Sequence, residues 1–479
     1  MSSTEITAAD RAATEPGLTR RQRFALILLL TAGFTLAVDF SVLNVTLPTI
    51  SADLGFALAD VQWVATTFAL CAAGFTLLFG RIADLFGRRR VFITGMAVLG
   101  VASLAGGLAQ TPVLLLVARA AQGLATAAVT PAALSLLTTS FPEGRPRDRA
   151  LGLNGALMAA GFTAGAVLGG LLTDLLSWRW ALFINVPVAL FAVLAAPAVL
   201  TESRPGRRPR LDLPGAVTVT LGLLALIYGI TTAGITSWTD PKVLAALVAG
   251  VLLLGAFLLI EGRVAAPLVP VTILARRTVG WGNLAGLLAF LTETSLVFLL
   301  TLYLQKVLGY APLAAGLSFA VLGIGTVLGG IVGPRLIGRI NNKRAIVTGF
   351  GVQAAATGVL VLLGPSSAWI GPLLIATFIG GVANLVAIVA FMVTATSGLP
   401  DSEQGLATGL TTMSQQVGIT LGIPIMSAVV TFRTHGLSGA TPHGVLVGVT
   451  TAIGVNAALC VVAAVLLAGF LPVAGVRTR

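Results

Sequence analysis

The chain has 479 residues, of which 56% are hydrophobic and 10% are charged, and its mean hydropathy is +0.99. Soluble domains carry about 25% charged residues, so this composition excludes an ordinary soluble enzyme. The net charge of +12 falls in short segments between apolar runs, with no soluble domain to present it, and this argues against nucleic acid as a partner.

Fourteen apolar runs of about 20 residues follow one another, each long enough to cross the bilayer as a helix. We predict spans at 24–47, 61–80, 91–110, 113–137, 150–172, 180–200, 213–233, 243–260, 279–304, 313–334, 345–363, 371–397, 405–431 and 444–472. Lys and Arg concentrate at the N-terminus and in the loops after even-numbered spans, so the positive-inside rule places both termini in the cytoplasm. The sequence therefore predicts an all-α, multi-pass protein of the inner (plasma) membrane.

Three ionisable residues lie inside predicted spans, where a charge is costly and commonly marks function. At about 1.5 Å per helical residue, Asp39 of span 1, Arg119 of span 4 and Glu293 of span 9 fall at similar heights. Desolvation favours the neutral form of a buried carboxyl, and a nearby arginine favours the ionised form. We therefore predict proton coupling at these three residues. The alternatives are a static Asp39–Arg119 pair that locks two helices, and for Glu293 either cation binding or snorkelling toward the outer interface.

Span 2 ends in a group of glycines and charges that we interpret as a conformational gate: Gly80, Asp84, Gly87 and Arg88. A carboxylate at this place can accept an arginine or the N-terminus of a nearby helix. The alternative is a topology signal with an incidental acid. A partial copy at 338–342 follows span 10, and two similar halves are the layout of a secondary transporter.

Span 5 carries glycines at four-residue spacing, a pattern that lets helix backbones approach closely: Gly161, Gly165 and Gly169, with Gly170 beside them. The alternative is a generic packing motif. Five further residues are plausible lining of a substrate cavity, although each could equally serve interhelical packing: Phe290, Phe298, Asn384, Gln415 and Gln416. The sequence holds no Walker loop, nucleophile–base pair or metal-ligand cluster, so we predict neither enzyme activity nor a metal or cofactor.

These motifs resemble the major facilitator superfamily, and more closely its fourteen-helix drug:proton antiporter branch. The segment 80–90 resembles the superfamily's cytoplasmic signature, and 39–48 is similar to the first-helix motif of the branch. The segment 119–123 resembles the helix 4 motif linked to proton transfer, the span 5 glycines resemble the antiporter motif, and 178–187 resembles a further stretch typical of the branch. Ala166 departs from the antiporter motif, which usually has proline there, and this weakens the argument for a kinked helix.

The resemblance implies two six-helix bundles that rock about a central cavity, with two inserted helices between them. The implied division is a cytoplasmic tail at 1–23, a bundle at 24–200, a basic linker at 201–212, the inserted helices at 213–262, a second bundle at 263–472 and a tail at 473–479. It further implies that Asp84 and Arg88 stabilise the outward-facing state, with Asp84 near the start of span 13.

The same resemblance implies export of drugs, antibiotics or similar amphipathic small molecules, driven by the proton gradient. We expect a monomer whose partners are this substrate, protons and the lipid bilayer. The abundance of Ala, Gly and Arg hints at a bacterium with GC-rich DNA. Two alternatives stay open: an importer or uniporter of a small nutrient on the same fold, and a membrane sensor that transports nothing.

Overall fold

The computed structural model of the protein describes residues 18–56, 60–141, 145–202, 212–264, 267, 273, 275–396, 401–434 and 441–472. These residues form α-helices joined by short connections, and fourteen of the helical stretches are long and apolar enough to cross a membrane. The predicted number of spans and the all-α class are confirmed.

The first bundle contains seven helices, two of which share one span. They are α1 (Arg20–Leu54), α2 (Gln62–Phe86), α3 (Arg88–Gly107), α4 (Pro112–Ser140), α5 (Arg145–Leu175), α6 (Trp180–Phe183) and α7 (Asn185–Val199). Local signals set their ends. The Thr19 side chain caps α1 by accepting from the Gln22 amide, and Gly55 ends the helix in the left-handed conformation at φ 72°. The first helix is therefore longer at both ends than the predicted span.

A helical hairpin and a second bundle follow. The hairpin comprises α8 (Leu213–Ile235) and α9 (Pro241–Glu261). The second bundle comprises α10 (Arg277–Leu302), α11 (Pro312–Ile340), α12 (Asn342–Val359), α13 (Ile370–Thr396), α14 (Asp401–Thr434) and α15 (Pro442–Phe470). A π-helical turn at Tyr303–Val307 extends α10. Proline at the first position starts α9, α11 and α15, where its missing N–H costs no hydrogen bond.

The two bundles share one packing pattern. In the first, α1 packs on α5, while α2 and α3 both pack on α4. In the second, α10 packs on α14, while α11 and α12 both pack on α13. The bundles meet where α5 contacts α11 and where α2 contacts α14. The hairpin covers only the second of these seams, because α8 packs on both α2 and α14.

Two hydrogen bonds join the bundles at the end that carries the loops after odd-numbered spans, which we call the distal end. The Gln305 side chain donates to the Val45 carbonyl at 2.9 Å, and the Thr420 hydroxyl donates to the Ala69 carbonyl at 3.0 Å. Both acceptors lie in the distal half of their helices. The two bundles are therefore in contact at the distal end.

Candidate functional site

An ion pair lies buried inside the first bundle. Arg119 of α4 donates from Nη1 to Oδ2 of Asp39 on α1 at 3.2 Å, and the two side chains are 1% and 0% exposed. The Nε atom of Arg119 donates to the Val64 carbonyl of α2 at 3.1 Å, and the guanidinium carbon lies 4.2 Å from the centre of the Phe68 ring. The pairing of Asp39 with Arg119, expected from their similar depths in the membrane, is thus present, and α1, α2 and α4 all contribute to it.

Three polar side chains that the sequence did not single out complete this site. Gln122 donates to Oδ1 of Asp39 at 3.3 Å, and Asn185 donates to the same oxygen. Both amides also donate to the Ser103 hydroxyl, at 2.7 and 3.2 Å. The carboxylate therefore receives hydrogen bonds from two amides and from one guanidinium, as a buried ionised group requires. Gln122 follows Arg119 by three residues on one helical face, which is the signal that could have found it.

A small aromatic group connects the ion pair to the surface where the bundles meet. The ring of Phe68 lies 5.8 Å from that of Phe40, which stacks at 5.7 Å on Phe162 of α5. Phe40 and Phe162 are half-buried, and Phe162 packs against an apolar cluster whose buried members come from both bundles. The group therefore connects Arg119 to the apolar cluster shared by the two bundles.

Glu293 lies apart from this site, on α10 of the second bundle. It is half-buried and lines a cavity together with Leu322, Gln353, Thr377 and Asn384. Within the described ranges no side chain or amide forms a hydrogen bond or ion pair with its carboxyl group. The residues that line this cavity come from α10, α11, α12 and α13, so Glu293 lies between helices of the second bundle.

Two uncharged amides line the same cavity as Glu293, in contrast to the charged cluster of the first bundle. The Asn384 amide donates to the Ala289 carbonyl at 3.0 Å and to Oε1 of Gln353 at 3.2 Å. Gln353 in turn donates to the Thr292 hydroxyl at 3.1 Å. The Oδ1 atom of Asn384 is buried and accepts no hydrogen bond from the part of the chain that the structure describes.

The other four predicted cavity residues do not line the cavity beside Glu293. Phe298 is buried in the apolar core of the second bundle, and Phe290 packs edge-on against Phe391 with ring centres 6.5 Å apart. Gln415 and Gln416 are half-buried on α14. Only Asn384 of the five lines the cavity beside Glu293.

The predicted gate contacts an acid that the sequence analysis passed over. Glu202, just after α7, accepts from the Arg89 amide at 3.1 Å and lies 3.8 Å from the Arg90 guanidinium. Gly87 adopts φ 107° at this point, and a Cβ atom there would overlap the Glu202 carboxyl group. Of the other gate residues, Gly80 lies inside α2, where an added Cβ would lie 3.7 Å from the Pro131 side chain, and Arg88 is the first residue of α3. The Asp84 side chain lies outside the described residues.

The glycines of α5 serve two different helices. A Cβ atom on Gly161 or Gly165 would lie 2.7 Å from a backbone carbonyl oxygen of α1, and one on Gly169 would lie closer still to an oxygen of that helix. Gly170 instead faces the backbone of Pro312 at the start of α11, in the other bundle. The face therefore fixes α5 against α1 and brings the bundles together at the distal end.

An outer clamp ties α1 to the segment before α6. The Asp53 carboxyl accepts from the Trp178 indole at 2.9 Å and from the Arg179 guanidinium at 2.6 Å. Asp53 lies beyond the first span, and these hydrogen bonds lower its pKa, the one from the Trp178 indole contributing most. Arg179 also donates to the Ala109 carbonyl after α3. This clamp holds three chain segments together at the distal end.

Comparisons with known proteins agree with this arrangement. The sequence model described as "Major Facilitator Superfamily" matches residues 29–423. The chain is 38% identical over 461 residues to a puromycin resistance protein of Streptomyces alboniger, which covers 93% of this chain and 92% of that protein. It is 40% identical over 422 residues to a cephamycin export protein of Amycolatopsis lactamdurans, which covers 86% of each. The crystal structure of the POT family transporter PepTSo superposes with a TM-score of 0.67 at 15% identity, covering 93% of this chain and 97% of that one, a likeness of fold alone.

Proposed function

Because the chain belongs to the Major Facilitator Superfamily, we propose that it exports an antibiotic or similar amphipathic small molecule from a bacterial cell in exchange for protons. Members of this superfamily are transporters rather than enzymes. The observation that carries the proposal is the similarity, along nearly the whole chain, to proteins named for antibiotic resistance and antibiotic export. The proton gradient supplies the energy, since one charge crossing 100 mV gains about 2.3 kcal/mol.

The coupling proposal starts from the charge balance of the buried site. Ionised Asp39 is paired with Arg119, and a proton on Asp39 removes the charge that holds the guanidinium in place. The same guanidinium contacts the Phe68 ring, whose aromatic neighbours Phe40 and Phe162 line the surface between the bundles. An apolar substrate that packs on these rings and a proton on Asp39 therefore act on one residue, Arg119. This shared contact supports alternation of the two ligands, with Glu293 as a further site of protonation in the second bundle.

The alternating-access proposal follows from where the bundles touch. Their hydrogen bonds through Gln305 and Thr420 lie at the distal end, which the positive-inside rule assigns to the outside. The described conformation is then closed outward, with both termini in the cytoplasm of the cell. Export requires these two bonds to break so that the distal end opens while the cytoplasmic ends of the two bundles approach each other. A single chain contains both bundles and the whole site, which supports a monomer as the transporting unit.

The test uses everted membrane vesicles from a host that lacks its own drug pumps. We expect energised vesicles to accumulate a fluorescent antibiotic analogue only when the chain is present, and to release it when a protonophore collapses the pH gradient. Vesicles without the chain are the control. Accumulation by intact cells instead of everted vesicles would identify an importer. A protonophore-insensitive signal would contradict proton coupling.

A further inference from the structure

The carboxyl group of Asp39 faces N–H donors on both of its oxygens. Oδ1 accepts from the side-chain amides of Gln122 and Asn185, and Oδ2 accepts from the Arg119 guanidinium. Donors in this arrangement stabilise the ionised form. A proton that binds to Asp39 turns one oxygen into an O–H donor, which then needs an acceptor. Because the group is fully buried, a neighbour must change its hydrogen bonding when the proton binds.

The new acceptor must come from an uncharged side chain. Within the described ranges, Arg119 is the charged group that contacts Asp39, and it carries donors only. The other elements around this ion pair present uncharged groups: Ser103 of α3, Asn185 of α7, Gly165 of α5, Phe68 of α2 and Gln305 of the π-helical turn.

The two amides beside Asp39 differ in how firmly they are held. Gln122 is held at both ends, because its Oε1 accepts from Arg119 at 2.8 Å and its Nε2 donates to Asp39 and to Ser103. Asn185 is held at its nitrogen, which donates to the same two partners. Its Oδ1 atom is buried and accepts no hydrogen bond from the part of the chain that the structure describes. A half-turn of the Asn185 amide therefore breaks the bonds of its nitrogen and none at its oxygen.

The Ser103 hydroxyl is also ready for such a turn. It accepts from Gln122 at 2.7 Å and from Asn185 at 3.2 Å, and among the described residues its own proton has no acceptor. After a half-turn, the Oδ1 atom of Asn185 takes the place of its nitrogen between Asp39 and Ser103. That oxygen has two lone pairs, so it can accept from the protonated carboxyl group and from the serine hydroxyl together.

We propose that Asn185 is a positioning residue that follows the protonation state of Asp39. It donates N–H to the ionised carboxylate, and it turns by half to accept the O–H of the protonated form. The proton comes from the gradient, the bond that forms is the O–H bond on Oδ1 of Asp39, and no other covalent bond changes. This inference rests on the proposed proton coupling and adds to it a residue of α7, the last helix of the first bundle.

The second bundle contains a matched control. Asn456 of α15, its last helix, is as deeply buried as Asn185 and donates to the Thr292 carbonyl at 3.0 Å and to the Ser295 hydroxyl at 2.8 Å. Its Oδ1 atom accepts from the Cys460 thiol at 3.9 Å. This amide is therefore held at both ends by uncharged groups, and we expect it to keep its orientation.

The test is infrared difference spectroscopy of the protein in lipid nanodiscs, in which the spectrum at neutral pH is subtracted from the spectrum after acidification. The side-chain carbonyl carbon of asparagine carries a heavy isotope, so that the bands of this group are identified by comparison with unlabelled protein. In wild type we expect the carboxyl band of protonated Asp39, which is lost in Asp39→Asn. We also expect one labelled asparagine carbonyl to shift to lower wavenumber, because Oδ1 gains two donors.

Three variants assign the asparagine signal. It should disappear in Asn185→Leu, and in Asp39→Asn because no proton binds there. It should stay unchanged in the control Asn456→Leu. A shift that survives in Asn185→Leu would belong to another asparagine and would overturn the proposal.

The wild-type spectra alone also separate this inference from the proposed function, so the result does not depend on the folding of any variant. If the Asp39 carboxyl band appears without a change at asparagine, proton binding stands and the role of Asn185 is overturned. If the Asp39 band does not appear at all, Asp39 takes up no proton, and the coupling proposal fails together with this inference.

Discussion

Replacement of Arg119 by leucine should destabilise the protein far more than the loss of an ordinary arginine. The change leaves the Asp39 carboxylate, which is 0% exposed, without its cation. Removing one partner of a buried ion pair costs about 3–5 kcal/mol. Since Gln122 and Asn185 still donate to Asp39, we expect the lower end of that range, about 3 kcal/mol.

The double variant Asp39→Asn/Arg119→Leu should recover much of this loss, because no uncompensated charge then remains in the bundle. We expect it to be about 1–2 kcal/mol more stable than Arg119→Leu alone. The matched control is Arg335→Leu on α11, where an exposed arginine is lost and the change should stay within about 0.5 kcal/mol.

The assay is reversible unfolding in mixed detergent micelles, followed by tryptophan fluorescence. The reasoning is refuted if Arg119→Leu costs no more than Arg335→Leu. It is equally refuted if the double variant is less stable than Arg119→Leu, because the loss of stability in Arg119→Leu would then not come from the unpaired Asp39 charge.

Three further changes test the helix contacts, the outer clamp and the closed distal end. Gly165→Val should abolish folded protein on size-exclusion chromatography, since its Cβ would lie 2.7 Å from an α1 carbonyl, whereas Gly155→Ala should be neutral because nothing lies within 4 Å. The lowered pKa of Asp53 stabilises the fold above its unfolded value of about 4 and is lost as pH falls through the folded value. Thermal melts of wild type should therefore drop below about pH 4 more steeply than those of Asp53→Asn, by a small amount because Asp53 is largely exposed. Gln305→Leu should favour outward opening and raise the labelling rate of a cysteine introduced in the distal cleft several-fold; an unchanged rate would show that this bond does not hold the bundles closed.

The sequence was sufficient to predict the spans and the principal charge pair. Apolar runs of bilayer length leave the backbone only a helical solution, so the number of spans follows from composition. Asp39 and Arg119 could be paired because helix rise converts sequence position into depth. The number of apolar runs and the depth of a residue along its helix can both be read from sequence position alone, and folding does not change them.

Other features depend on which faces of distant helices meet, and no periodicity records that. Asn185 donates a hydrogen bond to Asp39 across 146 positions of sequence. It lies in the segment 178–187, whose resemblance to the family did not indicate which residues this side chain contacts. The cavity beside Glu293 is lined by residues of four helices, and no single helix's pattern records that they meet. The division of the α5 glycines between α1 and α11 likewise required the observed crossing points.

The most direct test of proton coupling compares two modes of transport in proteoliposomes that contain the Asp39→Asn variant. Exchange of labelled for unlabelled substrate at equal pH needs only alternating access, whereas uphill accumulation against a concentration difference needs the proton. We expect the variant to exchange substrate and to fail to accumulate it under an imposed pH gradient. Accumulation equal to that of wild type would contradict the role assigned to the buried carboxylate.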